Sequence, residues 1–530
     1  MRVPDPAARR LGVRLSTLAL LAAAAACSGP PVCEPDGQAP NVVLITIDTL
    51  RQDHVSVYGA DRASTPNLDA LARAGVVFDH AYTDVSWTTP SVTSTMTGVY
   101  ATRHGVRNFH DRLGPEALTI AEVLAAGGYR TGAVVGSYPV DSVYGLDQGF
   151  EIYDDEFTRS ISLSKTDAVK KLDAQWFDTP EEQSKFNLDK MNANSRRTDA
   201  EVTDAAIAVL DRIGGGDETF FLWLHYFGPH SIPDKTKRHI EDLAHHAKTY
   251  PAKVENADAQ VGRFLDELAA RGLVDDTLVV VHADHGESLG EHDFVGHGRF
   301  LYDDNVRIPT LARWPGRIEP KTRTDAMVAN VDLFPTIAEA CGCRRTLARP
   351  SRVERWTARV FGERAPAIPR PPHPLDGRSW LPVLAGTAAP REQMYAETWM
   401  PSAGPFYEIG RHKGEMVAIP VARFAMIAPR HKLLLTRPSP LFGTSSLPLA
   451  PKLMRRNLFR DDIFDRAVDP GELSPLAVDA GDPIHARLRG ALGPHLLASL
   501  RLLGGQDSGR DPEGMGDTDL EKLRALGYVE

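Results

Sequence analysis

The distribution of apolar positions along the chain divides it into two kinds of segment. "NVVLITID", Asn41 to Asp48, is a nearly unbroken β-branched run, the pattern of a strand buried on both faces of a parallel sheet. "TFFLWLHYF" and the run "TLVVVHAD", which ends at Asp284, read the same way. Between such runs the period changes. "TPNLDALARAGVVF" places Leu68, Leu71 and Ala72 at helical spacing. "ALTIAEVLAAGGYRTGAVVG" reads as helix, glycine turn and strand. "DAAIAVLDRIGG" reads as a helix with its stop, and "AQVGRFLDELAARGLVDDTLVVVHAD" as helix, loop and buried strand. Strands alternating with helices predict an α/β sandwich around a mostly parallel central sheet.

From residue 386 to residue 530 the texture changes. "ARFAMIAPRHKLLLT" predicts paired antiparallel strands and "LEKLRALGYV" a helix end, so a smaller C-terminal subdomain with a short antiparallel sheet is expected there. The expected catalytic domain is 41–385. Within it, the Arg- and Pro-rich stretch 344–374 reads as a surface insertion. Residues 154–195, polar and irregular, read as a lid.

The N-terminus has another pattern. Arg9, Arg10 and Arg14 precede "LSTLALLAAAAAC", an apolar run too short to span a bilayer and ending in small residues, as a secretory signal does. The ending "AAAC" resembles a bacterial lipobox. Residues 1–27 are therefore expected to be a signal peptide, with Cys27 lipidated after cleavage; an ordinary signal peptide beside a cysteine is the alternative. Residues 28–40 read as a tether. The expected location is the bacterial cell envelope, as an exported lipoprotein on the periplasmic or outer-surface side, touching membrane through its lipid alone.

Composition narrows the function. The 530 residues carry a net charge of −10, which argues against a general nucleic-acid binder. A small anionic ester is not excluded, because a bound cation overrides net charge locally. The four cysteines make no disulfide framework. Cys341 and Cys343 are expected to be a packed pair or a local bridge.

Three chemistry-bearing residues fall at strand ends. Asp48 closes the first strand; Asp284 closes "TLVVVHAD", and His285 follows. Ligand sites in open parallel sheets gather at those carboxyl ends, and two carboxylates with an imidazole suit a metal. An Asp at a strand end often does no more than cap a turn. Here "DHGESLGEH" crowds acidic, imidazole and glycine residues into one short turn. In "SWTTPSVTSTMTG", Pro90 suits a first helical position with Thr89 as its cap, leaving Thr88 at the mouth of the helix. A threonine hydroxyl is a poor nucleophile unless a cation lowers its pKa. Taken alone, Thr88 and Thr89 read as caps.

Ordered blocks along Asn41 to Ala477 resemble the sulfatase family of the alkaline phosphatase superfamily: "NVVLITIDTLRQDH", "TPNLDALARAGVVFDHAY", "TPSVTSTMTG", "LHYFGPHSIP", "ADHGESLGEHDFVGHGRFLYDDNVRIP", "VDLFPTIAEACG" and "DIFDRAVDPGE". The resemblance implies an alkaline-phosphatase/sulfatase-like fold and cleavage of sulfuric or phosphoric (phosphonic) esters. Sulfatases carry Cys or Ser in C/S-x-P-S-R, oxidised to formylglycine. Thr88 stands at that position, Pro90 and Ser91 match, and Val92 replaces the arginine. Threonine cannot become formylglycine, and superfamily members such as nucleotide pyrophosphatases and phosphoethanolamine transferases use a threonine directly. The resemblance thus implies Thr88 as nucleophile and metal ligand, with Asp48, Asp284 and His285 as the other ligands. His285 stands where sulfatases have Asn, which favours zinc or manganese over calcium. One metal site is expected, with a second left open. The resemblance implies catalytic or anion-binding roles for His230 and His297, and substrate-side positions for Ser137 and Tyr138, with His225 beside the site or in its support. Glu291, His292 and Arg307 read as supports. Two rival functions stand beside hydrolysis: transfer of a phospho-group to an envelope lipid or glycan, and a non-catalytic binding protein on the same scaffold.

Overall fold

The computed structural model describes residues 33, 39–107, 111–157, 196–216, 218–230, 239–343, 374–399, 407–412, 415–438, 460–477 and 482–503. Cys27, most of the tether, the insertion (apart from Pro374), nearly all of the expected lid and the C-terminal "LEKLRALGYV" lie outside them.

The central strands are β1 (Asn41–Ile47), β2 (Val76–Tyr82), β3 (Arg130–Val135), β4 (Ile152–Asp154), β5 (Phe220–Tyr226) and β6 (Thr277–Ala283). A two-stranded ribbon, β7 (Ser288–Leu289) and β8 (Val295–Gly296), precedes β9 (Thr310–Arg313) and β10 (Thr322–Ala329). Eight of these form one sheet in the order β10-β2-β9-β6-β1-β5-β3-β4. All neighbours are parallel except at β9, which runs against both β2 and β6. The unbroken apolar run of β1 follows from its central place. Val42, Val43, Leu44, Ile45 and Ile47 are fully buried between β5 and β6.

Register decides where the site lies. Ile47 pairs with Tyr226 of β5 and with Ala283 of β6, so these three parallel strands end side by side. Asp48 and Asp284, each one residue further on, therefore meet at the same sheet edge.

The main helices are α1 (Pro66–Arg73), α2 (Thr88–Thr97), α3 (Ile120–Ala126), α4 (Asp199–Ile213), α5 (His239–Ala270), α6 (Leu333–Ala340) and α7 (Pro483–Leu503). Helix α5 packs on α1 and α4, and α6 packs on α2 and α3. Helix α4 starts at a capping box formed by Thr198 and Glu201. No helix among the described residues is long and apolar enough to cross a membrane.

The second, antiparallel sheet consists of β11 (Met394–Trp399), β12 (Tyr407–His412), β13 (Glu415–Ile427), β14 (His431–Pro438) and β15 (Arg460–Asp465). Helix α7 packs on β13 and β14. Buried ion pairs join this sheet to the first body. Lys432 Nζ lies 2.5 Å from Asp303 Oδ1 and 2.7 Å from Glu472 Oε1, and Arg466 reaches Asp303 at 3.0 Å.

The cysteines depart from expectation. Cys343 forms a disulfide with Cys33, and Cys341 is a free, buried thiol. Gly342, at φ 74°, reverses the chain between the two, so their side chains take different neighbours. The bridge ties the start of the chain to the body across 310 residues.

Candidate active site

Helix α2 is built from "TTPSVTSTMT", an unpromising helix sequence in which every residue is buried. Its hydroxyls are satisfied internally: Thr93, Thr95 and Thr97 each donate to the carbonyl four residues back. Ser91 Oγ donates to Asp284 O at 2.6 Å, and Ser94 Oγ to Asp84 Oδ2 at 2.8 Å. The helix starts earlier than the sequence suggests. Trp87 is the cap and makes no side-chain capping bond, Thr88 is the first helical residue, and Pro90 sits inside the first turn, where a missing N–H costs nothing. Neither threonine caps. Thr89 Oγ1 donates to Pro139 O at 2.7 Å, and Thr88 Oγ1 points to the sheet edge.

There it meets the expected residues. Asp48, Asp284 and His285 offer ligand atoms that all lie within 4.8 Å of one another, and all three are fully buried. Thr88 Oγ1 donates to Asp48 Oδ2 at 3.2 Å and lies 3.1 Å from His285 Nε2. His285 Nδ1 is 2.8 Å from Gly286 O, which places the proton on Nδ1 and the lone pair of Nε2 toward Thr88. Asp284 Oδ1 accepts from the backbone N–H groups of His285 and Thr49. Thr49 adopts φ 55°, a rare conformation for a β-branched residue. Asp284 holds its N–H and Tyr250 donates to its carbonyl at 2.5 Å, so the strained turn is fixed from both sides.

The electrostatics favour a cation. Burial, and then the charges of Asp284 and Glu287, push the Asp48 carboxyl well above its usual range. Burial raises Asp284 as well, against the pull of His285. Burial lowers His285 to about 4 and His225 to about 3, so neither imidazole is cationic near neutrality. Asp48 Oδ1 and Asp284 Oδ2 are buried with no hydrogen-bond partner. Two orphaned carboxylate oxygens beside an imidazole lone pair fit a divalent cation.

The histidines form a second tier. His297 packs its ring 4.5 Å from that of His285 and 4.9 Å from that of His230, while His230 stacks on Phe227 at 4.3 Å. His225 is fully buried, its Nε2 3.6 Å from Asp48 Oδ2. Tyr138 is buried against Tyr144, and Ser137 Oγ is buried without a partner. No hydrogen bond among the described residues links either to the cluster, although Pro139 beside them accepts from Thr89 of α2. Arg51 clamps the turn after His285 by donating to Glu287 O and Glu291 Oε1. His292 stacks on Tyr302, and Arg307 donates to Asp79 O.

Several polar residues escape sequence reasoning. Glu287 is fully buried, with Oε1 3.1 Å from His297 Nδ1 and Oε2 3.5 Å from His246 Nε2. His246 and Lys253 come from α5, which carries no motif. Asp84, buried behind α2, accepts from Ser94 and Asn330. Glu287 at least stood inside the crowded "DHGESLGEH" turn; the others left no signal.

Known proteins are similar to the chain in sequence and in fold. The Sulfatase family profile matches residues 40–343. Human arylsulfatase A is 27% identical over 418 residues, covering 73% of this chain and 74% of its own. The Escherichia coli K12 protein called uncharacterized sulfatase YidJ is 23% identical over 340 residues, covering 56% and 67%. Among solved structures, the phosphonate monoester hydrolase of Agrobacterium radiobacter superposes with a TM-score of 0.58 at 19% identity, covering 88% of this chain and 96% of that one. BT1596, a 2-O GAG sulfatase, gives 0.61 at 18% identity, covering 90% and 96%. The chain belongs to the sulfatase family of the alkaline phosphatase superfamily and is an ester-hydrolysing enzyme.

Proposed function

We propose that this enzyme cleaves phosphoric or phosphonic esters in preference to sulfuric esters, with Thr88 as the attacking group and Asp48, Asp284 and His285 as ligands of a divalent cation. The observation that carries the reading is the position of Thr88 Oγ1, 3.2 Å from Asp48 Oδ2 and 3.1 Å from His285 Nε2. A zinc or manganese ion held there would lower the pKa of the threonine hydroxyl and neutralise the anionic ester. Thr88 loses its proton to solvent, and Oγ1 bonds to phosphorus (or sulfur) as the bond to the leaving oxygen breaks. An imidazole, His297 or His230, gives a proton to that oxygen. Water then releases the anion and restores the hydroxyl. The preference for phosphorus follows from the side chain. Threonine has no aldehyde hydrate with which to expel sulfate, and a phosphonate monoester hydrolase is among the fold neighbours.

We further propose that the protein sits in the bacterial envelope, anchored through Cys27. The Cys33–Cys343 disulfide supports an oxidising compartment. Metal analysis combined with a panel of p-nitrophenyl phosphate diester, phosphonate monoester, phosphate monoester and sulfate tests the proposal. At least one zinc or manganese per chain, and faster turnover of diester or phosphonate than of sulfate, is expected. A metal-replete protein inert toward all four would overturn it.

A further inference from the structure

One buried carboxylate at the site is turned away from the cation ligands. Glu287 follows His285 by two residues, yet its side chain leaves the Asp48–Asp284 cluster and runs between α5 and the loop of His297. Its Oε1 is 3.1 Å from His297 Nδ1, and Oε2 is 3.5 Å from His246 Nε2. On the far side of His246, Nδ1 lies 3.3 Å from Lys253 Nζ, and Lys253 Nζ donates to His230 O at 3.0 Å. A row of polar groups thus runs from the ring of His297 to the backbone of His230, its Glu287–His246 step a 3.5 Å approach longer than a hydrogen bond. Its centre is rigid. Glu287 is fully buried, Arg51 holds its carbonyl, and Gly286 N donates to Asn305 O at 2.8 Å. A bulkier residue cannot replace Gly286, where a Cβ would fall 2.0 Å from Asp304 O.

A carboxylate that accepts the proton of one imidazole nitrogen fixes both tautomer and ring direction. With Nδ1–H committed to Glu287, Nε2 is the only nitrogen of His297 left to meet a ligand. The ring already packs against His285 and His230, and lies 5.4 Å from that of Trp87, the residue before Thr88. We propose that Glu287 is a positioning residue that keeps the proton of His297 on Nδ1 and aims Nε2 at the leaving oxygen of the ester. The step balances simply. His297 enters the step as the imidazolium, with Nδ1–H held by Glu287 and a second proton on Nε2. The bond from phosphorus or sulfur to the leaving oxygen breaks, its electron pair stays on that oxygen, and the Nε2 proton moves there, leaving the neutral Nδ1–H ring. Glu287 keeps its hydrogen bond throughout and remains a carboxylate.

This inference rests on the ester-cleaving reading, and its test separates the two. Glu287→Gln keeps the shape and removes the charge. With the metal-replete variant, two esters of one acid are compared, a p-nitrophenyl ester and an alkyl ester. A poor alkyl leaving group needs the proton and nitrophenolate does not. The alkyl kcat is expected to fall by about 10²-fold or more and the p-nitrophenyl kcat by about tenfold or less, with both KM values within about threefold and metal content unchanged. Equal losses on both esters, or a fall in bound metal, would show a merely structural role and overturn the proposal. Imidazole ¹H–¹⁵N spectra of the metal-replete wild type give a readout without turnover: the His297 Nδ1 proton should be present, and lost or exchanging in Glu287→Ala. If the wild type cleaves neither ester, the proposed function fails, and the spectrum alone decides on Glu287; an unprotonated Nδ1 overturns it.

Discussion

Replacing Thr88 by serine and by alanine separates chemistry from packing. Thr88 is buried, and its hydroxyl touches both Asp48 and His285. Serine keeps the hydroxyl and loses one methyl group. A buried methyl contributes about 0.8 kcal/mol, so the fold should lose roughly that much stability. Ground and transition states share the methyl contact, so it should scarcely touch kcat. The rotamer matters more. A packed threonine is held in one χ1 well, whereas serine can sample about three, so only about a third of the variant presents Oγ correctly. Thr88→Ser should therefore retain kcat to within about threefold. Thr88→Ala leaves binding and electrostatics but no attacker, and kcat should fall by at least about a thousandfold. In the metal-free protein the alanine variant also removes the only side-chain donor to Asp48 Oδ2 among the described residues, costing about 1–3 kcal/mol. The assays are steady-state hydrolysis of a p-nitrophenyl phosphonate, thermal unfolding with and without metal, and mass analysis of acid-quenched enzyme. The quenched wild type should carry one phosphonyl group on the peptide containing Thr88. An alanine variant that turns over at the wild-type rate, or an adduct mapped to another residue, refutes the reasoning.

Three further outcomes are expected. Zinc at about 100 times its Kd should raise the unfolding free energy by about 2.7 kcal/mol, an increment that chelation reverses and Asp284→Asn abolishes; equal melting of apo and zinc-treated wild type would count against the ligand set. Asp84 is buried and pushed up to about 7, chiefly by burial, against the pull of its bonds from Asn330 and Ser94. Its folded pKa is above the unfolded value, so its contribution is full below about pH 4 and lost as pH rises through 7, on the order of 4 kcal/mol in all. The stability difference between wild type and Asp84→Asn, measured by urea unfolding from pH 4 to 8, should shift by that order in favour of the variant, and a pH-independent difference would contradict it. Cys33→Ser opens a closure of 310 residues. The chain-entropy relation gives about 5–6 kcal/mol for that length and native bridges return about 2–5, so the variant should unfold earlier than the oxidised wild type and match the reduced one.

The parts of this structure legible in the sequence are those set by local pattern. A strand buried on both faces must be apolar throughout, so β1 and β6 show themselves, and the first charged residue after each marks the sheet edge. Asp48 and Asp284 were therefore readable as neighbours once the strands were taken as parallel. Thr88 stood out only through the family motif, because its loop reads equally well as a helix cap. The start of α2 was misjudged for a related reason: capping preferences assume that a threonine hydroxyl serves its own helix, and here Thr89 serves Pro139 and Thr88 serves Asp48. Lys253 and His246, seven residues apart, read as an ordinary helical face, and only the packing of α5 brings His246 to Glu287 and Lys253 to the His230 carbonyl. The partner of Cys343 was equally hidden, since spacing does not encode connectivity. The positive φ of Thr49 runs against residue preference, and only the hydrogen bonds from opposite sides explain why it is tolerated.

The three buried carboxylates at the sheet edge are not alike, and the difference shows what each is for. Burial alone would raise Glu287, yet the charges of His297 and His230 and the contact with His246 hold it well below the usual carboxylate range. Asp48 and Asp284 shift the other way. No lysine or arginine pairs with either among the described residues, and their nearest imidazoles, His225 and His285, are kept neutral by the same burial. Leaving an ionised carboxylate in such a place costs several kcal/mol unless a charge faces it. One carboxylate therefore has its counter-charge within the chain, and two have not. A protein with no use for a cation could relieve that cost by a single Asp→Asn exchange at position 48 or 284. On the proposed function, the two aspartates beside a lone-pair nitrogen would take their positive charge from a bound cation, and Glu287, which faces imidazoles of the chain itself, would be left to hold His297.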